Sequence, residues 1–517
     1  MEVSVGQGDR TTGQLLGRYA RDRFTWLLLL ARKGARPASF PIIACSQPQV
    51  PAGPTATCSS SKLGHIRGGE VVDLNRIGVS GRNGAGRDSE GTGLLGAGRM
   101  AALTDLGVLA LVVLLYGAVS RRVEALISAP LAFVAAGLAL GPEALGVVEL
   151  DLDDETFLLV AEVALVLVLF YDASRIDATV LRESASLPAR LLGIGMPLTI
   201  AAGTATAAVL LADLELWEGA ILATILAPTD AALGQAVTSD PRVPARVRQA
   251  LNVESGLNDG LSVPLLFVFI ALAGAQADVE TPGFWAGFAA EQIGLGALCG
   301  VLVGLGGGWI VERATRTGSM GGTFTQLAVL ALAVLAWAAA GEVGGNGFIA
   351  AFVAGLVTGR IYKDCGEQVA NFTDDQGRLL ELSVFMIFGV VAAPLLGEVS
   401  WEVVLYALLS LTLIRGVPVA IALAGSGLRR VSILFVAWFG PRGLASIVLA
   451  YVVLAEETEL GGIDTIVLTM TVTVLLSVAA HGVTASPLSA RLGRRLENVD
   501  ENAEEMRATM DLPTRRR

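Results

Sequence analysis

Two carboxylates, a hydroxyl and an amide lie within residues 254–259, which read Glu-Ser-Gly-Leu-Asn-Asp in an otherwise apolar segment. A charge inside a bilayer costs roughly 2.5 kcal/mol or more, so it persists where it is paired or functional. On a helix, Ser255 and Asp259 lie on one face. Oxygen ligands of this kind suit a hard cation, and a carboxylate also takes up a proton. The segment therefore predicts a site at which a cation and a proton compete for Asp259.

Two further charges lie beside prolines inside apolar segments. Asp230 follows Pro228 by two residues, and Arg442 directly follows Pro441. Proline removes a backbone hydrogen bond and breaks a helix. A broken helix survives in lipid where its freed backbone groups line a polar cavity. We therefore expect a break at each proline, and we expect Asp230 and Asp259 to share one cavity.

The composition places these groups in a membrane. The chain of 517 residues is 53% hydrophobic and 16% charged, with a mean hydropathy of +0.62, so it carries far less charge than a soluble protein of this size. The fold class predicted is an all-α polytopic membrane protein. Apolar runs predict about thirteen transmembrane helices, at 103–119, 125–141, 156–172, 188–211, 217–236, 248–273, 286–310, 324–340, 345–361, 379–396, 401–424, 431–454 and 463–487.

The basic residues predict the orientation. Fifteen of the seventeen Lys and Arg residues between positions 103 and 487 fall in alternate gaps between spans, and the intervening gaps contain none. By the positive-inside rule the basic gaps are cytoplasmic, with the N-terminus outside and the C-terminus inside. We expect a multi-pass protein of the plasma (inner) membrane. The net charge of −11 indicates no nucleic-acid partner.

The two predicted breaks fall in the fifth and twelfth spans. If spans one to six and eight to thirteen are repeats of inverted topology, with the seventh as connector, these two spans correspond. Interrupted helices at matching positions are the best sequence indication of a transporter's site. The expected geometry is a crossing of the two broken helices at mid-bilayer.

Charge counting suggests partners inside the membrane. The spans contain three deep acids and two deep bases, namely Asp230, Glu254, Asp259, Arg415 and Arg442. An unpaired buried charge is expensive, so we expect Glu254 and Arg442 to neutralise each other. Arg415 then either offsets part of the charge of Asp230 or stabilises the interface between the repeats. Asp259, supported by Ser255 and Asn258, is the group predicted to exchange ligands.

The ends of the chain differ from its middle. Residues 1–99 are rich in basic residues, Gly, Ser and Pro, and are predicted to be a disordered extension or the result of an upstream start, with Met100 as a natural start. Residues 100–490 are predicted to form the transmembrane domain, and residues 491–517 a charged cytoplasmic tail.

The four cysteines (Cys45, Cys58, Cys299 and Cys365) lack the spacing of a zinc site or a disulfide framework, and no cofactor is expected.

Four short motifs resemble those of cation:proton antiporters of the monovalent cation:proton antiporter-1 superfamily, the sodium/proton exchanger type. They are Ala-Pro-Thr-Asp at 227–230, Asn-Val-Glu-Ser-Gly-Leu-Asn-Asp at 252–259, Trp-Phe-Gly-Pro-Arg-Gly at 438–443 and Ala-His-Gly at 480–482. The similarity covers roughly residues 103–490. It implies the sodium/proton antiporter fold, a homodimer and an elevator-like movement of the ion-carrying core domain.

The resemblance also implies roles for individual residues. Asp230 and Asp259 would bind the monovalent cation, with Asp259 as principal carrier. Ser255 and the region of Thr229 would supply further ligands. The resemblance likewise pairs Glu254 with Arg442.

Asn258 precedes Asp259 where electrogenic relatives have a second aspartate. The resemblance therefore favours electroneutral exchange of one cation for one proton. The expected function is antiport of Na⁺ (or Li⁺) against H⁺, serving pH and sodium homeostasis, with K⁺/H⁺ antiport as the alternative.

Two other classes fit less well. An intramembrane aspartyl protease would need Gly-x-Gly-Asp, but Asn258 replaces the second glycine, and Asp172 of the possible Tyr-Asp motif lies at a helix end. An ion channel would show repeated filter loops instead of broken helices in matching halves. We therefore expect a carrier and no enzyme activity.

His481, near the end of the last span, is interpreted as a packed residue, with pH sensing as the alternative.

Overall fold

The computed structural model of the protein describes residues 107–120, 122–123, 127–148, 155–175, 186–276, 282–361, 367–455, 460–497 and 503–506. The predictions on residues 1–99 and on Cys45, Cys58 and Cys365 lie outside these ranges. Within them the secondary structure is helical, without a β-strand. The predicted all-α class is confirmed.

The helices are numbered here in chain order. They are α1 (Gly107–Ser120), α2 (Ala129–Leu140), α3 (Glu155–Ser174), α4 (Ser186–Leu210), α5a (Leu216–Ile225), α5b (Ala231–Thr238), α6 (Ala245–Gln276), α7 (Pro282–Arg316), α8 (Gly322–Glu342), α9 (Gly347–Ile361), α10 (Glu367–Leu395), α11 (Trp401–Ala422), α12a (Arg430–Trp438), α12b (Leu444–Ala455) and α13 (Ile463–Leu496). The predicted tail boundary at residue 490 falls inside α13. A short 3₁₀ turn follows at Glu504–Met506.

Seven of these helices are long and apolar enough to cross a membrane, namely α4, α6, α7, α8, α10, α11 and α13. The shorter apolar helices α1, α2, α5a, α9 and α12b have between 10 and 17 residues. A helix of ten residues covers about 15 Å of a hydrocarbon core that is about 30 Å thick. The count of thirteen spans therefore stays a prediction.

The two halves of the chain repeat the same order of irregularities. A π-helical turn lies in α4 at Leu191–Gly195 and in α11 at Ser410–Ile414. Each π-containing helix is followed by a broken helix, α5 or α12, and then by a continuous helix of more than 30 residues, α6 or α13. This order agrees with the predicted correspondence of the fifth span with the twelfth.

The site helix α6 packs closely against its neighbours. A Cβ atom on Gly260 would lie 2.3 Å from the ring of Phe352 on α9, so this contact requires glycine. The same helix contacts α5a and α5b. The break in α5 and the polar segment 254–259 are thereby held side by side, inside a core of apolar side chains.

Candidate ion-binding site

The break in α5 begins after Ile225 and ends at Ala231, where Pro228 interrupts the helix. Asp230 is the N-cap of α5b. Its Oδ1 accepts hydrogen bonds from the backbone N–H groups of Ala232, at 2.8 Å, and Leu233, at 2.9 Å. These are donors that the start of a helix leaves without partners. The side chain therefore fixes where the second half of α5 begins.

Asp230 also joins α5 to α12. Its Oδ2 accepts a hydrogen bond of 2.8 Å from the N–H of Leu444, the first residue of α12b. Its own N–H donates to the carbonyl of Pro441 at 2.8 Å. A Cβ atom on Gly443 would lie 2.0 Å from Oδ2, so this approach requires glycine. One carboxylate thus serves the starts of both distal half-helices, and the predicted crossing of two broken helices is confirmed.

Thr229, Ser255 and Asn258 form a buried polar cluster beside this crossing. The hydroxyl oxygens of Thr229 and Ser255 lie 2.9 Å apart, and Asn258 Nδ2 donates to Thr229 Oγ1 at 2.8 Å. All three residues are buried. Asn258 Oδ1 is buried without a hydrogen-bond partner among the described residues. A buried acceptor of this kind is available to an ion or a water molecule.

Asp259 lies one helical turn after Ser255 on α6 and is also buried. The two residues share one helix face because they are four positions apart. The contacts bring together Thr229, Ser255 and Asn258, and the helix places Asp259 beside them. That Asp230 and Asp259 share a single cavity stays a prediction.

The predicted ion pair between Glu254 and Arg442 is wrong, because Glu254 pairs with Arg415. The Arg415 Nη1 to Glu254 Oε1 distance is 2.9 Å, and Nη2 donates to Oε2 at 3.1 Å. The π turn at Ser410–Ile414 directly precedes Arg415. A π turn takes up an extra residue and rotates the following residues to a new face. Of the two roles predicted for Arg415, this contact fits the interface between the repeats.

Arg442 instead serves the break in α5. Its Nη1 donates to the carbonyl oxygens of Ala227 and Pro228, both at 3.1 Å. These carbonyls follow the end of α5a, where helix geometry leaves acceptors without partners and a partial negative charge. The buried guanidinium satisfies both needs. The sequence shows Arg442 beside a proline but gives no sign of these carbonyl partners.

Helix α13 supplies contacts that sequence analysis also missed. Ser477 Oγ accepts from the N–H of Arg442 at 2.6 Å, and His481 Nε2 lies 2.9 Å from the carbonyl oxygen of Trp438. The signal was present in the sequence, because Thr469, Thr473, Ser477 and His481 recur every four residues and so form one polar face.

These features define a class of protein. Two broken helices that cross at buried charges, beside an oxygen-lined cluster on a neighbouring helix, characterise secondary transporters with repeated halves. A family model described as the transmembrane sodium/hydrogen exchanger matches residues 107–491. The chain belongs to the sodium/hydrogen exchanger family. The resemblance drawn from the four motifs is confirmed.

Individual relatives agree with this assignment. The chain is 27% identical over 288 residues to the K(+)/H(+) antiporter NhaP2 of Shewanella sp. strain ANA-3, covering 56% of this chain and 49% of that protein. It is 26% identical over 381 residues to the Na(+)/H(+) antiporter NhaH of Halobacillus dabanensis, covering 70% and 91%. The chain thus spans about half the length of NhaP2.

The structural comparison concerns the fold. The structure of the sodium proton antiporter MjNhaP1 from Methanocaldococcus jannaschii at pH 8 matches with a TM-score of 0.62 and 23% identity. The match covers 77% of this chain and 100% of that one. It shows that the two chains share the antiporter fold.

Proposed function

We propose that this protein is a secondary active antiporter that exchanges Na⁺ (or Li⁺) for H⁺ across the plasma membrane. The observation that carries the proposal is the buried cluster of Thr229, Ser255 and Asn258, one turn from Asp259. This set offers an ion oxygen ligands from hydroxyl, amide and carboxylate groups. Such ligands suit hard cations, while soft and transition metals favour thiolate and imidazole.

Competition at Asp259 couples the two fluxes. The carboxylate is neutralised either by a proton or by a bound cation, and the bare charge is expensive to carry through the membrane. The loaded forms therefore move and the empty, charged form does not, which makes the exchange obligatory. One carboxylate that carries either ion gives one cation for one proton. Such a cycle moves no net charge and serves pH and sodium homeostasis.

The remaining charges form the frame of the site. Asp230 completes the cation ligands from the break in α5, while three backbone N–H groups fix its carboxylate. Glu254 is neutralised by Arg415, and Arg442 holds the carbonyls before Thr229. The assignment of Asp259 as principal carrier rests on its position beside the hydroxyl and amide cluster and on the family resemblance.

Exchange of K⁺ for H⁺ is the second candidate. It is favoured by the name of NhaP2, a K(+)/H(+) antiporter, whereas NhaH, a Na(+)/H(+) antiporter, agrees with the first candidate. Both candidates use the same residues and the same competition. The size of the cavity that the oxygen ligands enclose decides which of the two cations fits.

We also propose a homodimer in which the core domain that contains α5, α6 and α12 moves in an elevator-like manner. The N-terminus of the first span lies outside and the C-terminus is cytoplasmic. The strict alternation of basic and non-basic gaps supports this orientation, and the family resemblance supports the dimer and the movement.

The test is ion exchange by the full chain in liposomes that contain a pH-sensitive dye. Pulses of Na⁺, Li⁺ and K⁺ are compared, with and without an imposed membrane potential. We expect proton release with Na⁺ or Li⁺, at rates that do not depend on the potential. Asp259→Asn abolishes the signal, while the matched control Glu312→Gln, on the partly exposed face of α7, retains it. Undiminished exchange by Asp259→Asn would contradict the proposal.

A further inference from the structure

A fully buried imidazole, that of His481, lies on α13 beside the break in α12. The chain has two histidines, His65 and His481, so His481 is the only histidine within the range matched by the family model. Histidine is the side chain whose ordinary charge change falls between about pH 5 and 8. A buried imidazole needs partners for both ring nitrogens. The partners of His481 connect it to the ion site.

Both ring nitrogens of His481 contact backbone carbonyl oxygens. Nε2 lies 2.9 Å from the carbonyl of Trp438, the last residue of α12a, and Nδ1 lies 2.9 Å from the carbonyl of Ser477. Nδ1 is also 3.2 Å from the Ser477 hydroxyl. A carbonyl only accepts, and Nε2 has no other partner among the described residues, so Nε2 carries a hydrogen, whereas Nδ1 has both a carbonyl and a hydroxyl beside it. In the neutral ring Nδ1 accepts from the Ser477 hydroxyl, and in the charged ring Nδ1 donates to the Ser477 carbonyl.

Two contacts from α13 therefore bracket the break in α12. His481 binds the carbonyl of Trp438 before the break, and the Ser477 hydroxyl accepts from the N–H of Arg442 within it, at 2.6 Å. In the neutral state the Ser477 hydroxyl donates to His481 and accepts from Arg442 at once. A proton on Nδ1 removes the acceptor for that hydroxyl. The hydroxyl hydrogen then turns toward another acceptor, and the bond from Arg442 to Ser477 loses the cooperative strengthening that the bond to His481 gave it.

Arg442 carries this change to the ion site. Its guanidinium donates to the carbonyls of Ala227 and Pro228, and Thr229 of the polar cluster follows directly. The path from His481 to Thr229 thus consists of three hydrogen bonds and one peptide bond within one buried region. A small displacement of Arg442 alters the ligands that α5 presents.

We propose that His481 is a pH-responsive positioning residue for the break in α12. The neutral imidazole, protonated on Nε2, fixes Trp438 and, through Ser477, Arg442. Uptake of a proton on Nδ1 rearranges these contacts and lowers the exchange rate. The inference rests on the proposed antiport, and it adds a control point that lies outside the ion ligands.

The charged and titratable groups around His481 come from the helices that pack against α13. The charged groups that act on its ring are the guanidiniums of Arg442, in the break, and Arg415, on α11, the latter neutralised by Glu254. Helices α2 and α5b also pack against α13 and contain no titratable side chain. The other helices packed against α13 contribute the titratable residues Glu218, Glu402, Tyr406, Arg430 and Tyr451. Within the described residues, the hydrogen bonds of the imidazole go only to α12a and α13.

Three substitutions of His481 distinguish the contributions of its two ring nitrogens. His481→Gln keeps a donor near the position of Nε2 and cannot titrate. His481→Asn keeps a polar group near Nδ1 but does not reach Trp438, and His481→Ala keeps neither contact. We expect the glutamine variant to retain the maximal exchange rate. The alanine variant should lose about tenfold, as loss of one or two buried hydrogen bonds predicts, with the asparagine variant between them.

The pH profile supplies the second measurement. The wild-type rate should fall in a step as the medium is acidified, and this step should be absent from the glutamine variant. Ser489→Ala, which removes a buried hydroxyl two turns further along α13, is the matched control and should keep the wild-type profile. A glutamine variant whose profile superimposes on that of the wild type overturns the pH response. An alanine variant with the wild-type rate overturns the positioning role.

A third measurement does not depend on transport. The ring centroids of Trp438 and His481 are 5.2 Å apart, and a protonated imidazole at this distance quenches indole fluorescence. Acidification should lower the emission of the wild type more than that of His481→Gln or Trp438→Phe. If no cation drives exchange but this difference is present, the proposed function fails while the titration of His481 stands. If exchange proceeds and the difference is missing, the inference fails by itself.

Discussion

Arg415 on α11 holds Glu254 on α6 through two parallel contacts, Nη1 to Oε1 at 2.9 Å and Nη2 to Oε2 at 3.1 Å. The two side chains are only 4% and 6% exposed. Because α6 belongs to the first half of the chain and α11 to the second, the pair holds the two halves together. A Cβ atom on Gly440 would lie 1.7 Å from Arg415 Nε, so the break in α12 rests directly on this arginine.

Breaking this pair should be strongly destabilising. Glu254→Gln leaves the Arg415 guanidinium buried without its counter-charge, which costs about 3–5 kcal/mol in comparable buried pairs. Arg415→Gln should cost a similar amount, and the double substitution should cost less than the sum. Unfolding in detergent, analysed as a double-mutant cycle, measures the coupling. A larger coupling of Glu254 to Arg442 than to Arg415 would contradict the pairing.

The choice between the two arginines shows what the sequence could and could not predict. Charge counting established that Glu254 needs a basic partner, since the cost of a buried charge does not depend on the fold. The identity of the partner depends on which face of α11 carries Arg415. The π turn before it shifts that face by about one residue, and ordinary helical spacing gives no sign of such a shift.

The breaks at Pro228 and Pro441 were predictable because a missing backbone N–H is a local property. The crossing followed from their matching positions in the two halves. The partners of the breaks were not predictable, since they come from distant parts of the chain. Arg442 reaches two carbonyls that lie more than 200 residues away in the sequence.

Asp230 can be tested by a substitution that preserves its shape. Asp230→Asn retains an oxygen to cap α5b but turns an amide N–H₂ toward the N–H of Leu444, so that two donors face each other. We expect a loss of stability of about 1–3 kcal/mol and of most exchange activity. Thermal unfolding and liposome exchange of the same preparation measure both effects. An asparagine variant with wild-type stability would show that the contact with Leu444 contributes nothing.

Gly443 should not tolerate a side chain, because its Cβ position is already occupied by the carboxylate of Asp230. Gly443→Ala should therefore displace either Asp230 or α12b and abolish exchange. Gly416→Ala is the matched control, since no atom lies within 4 Å of a Cβ added there. Alanine also favours the helix over glycine by about 1 kcal/mol, so the control should be at least as stable as the wild type. Equal behaviour of the two variants would argue against the close approach.

Thr229 connects the polar cluster, because its hydroxyl contacts both Ser255 and Asn258. Thr229→Val preserves the shape and removes both hydrogen bonds. We expect the cation concentration for half-maximal exchange to rise about tenfold, equivalent to about 1.4 kcal/mol, with little change in folding. The measurement is the dependence of proton release on cation concentration. An unchanged half-maximal concentration would remove Thr229 from the proposed ligand set.

The segment after α13 returns to the helices at Glu505, which is 1% exposed. Its Oε1 accepts from the N–H of Arg429 at 2.7 Å and from the Ser432 hydroxyl at 2.9 Å. Arg429 is the N-cap residue of α12a and makes no side-chain capping bond of its own within the described part of the chain. Glu505 therefore acts as an N-cap supplied from 76 positions away. The neighbouring Glu504 pairs with Arg246 near the start of α6.

Removal of this distant cap should weaken α12a. Glu505→Ala deprives the first turn of its acceptor and leaves the buried Ser432 hydroxyl without its partner, which should cost about 1–2 kcal/mol. The exposed Glu497, at the end of α13, provides the matched control Glu497→Ala, for which we expect little change. Thermal unfolding of both variants measures the difference. Because α12a leads directly into the break, a destabilised helix should also open more often, and faster hydrogen exchange at residues 430–438 would report it. Equal protection of this helix in the two variants would show that Glu505 does not cap it.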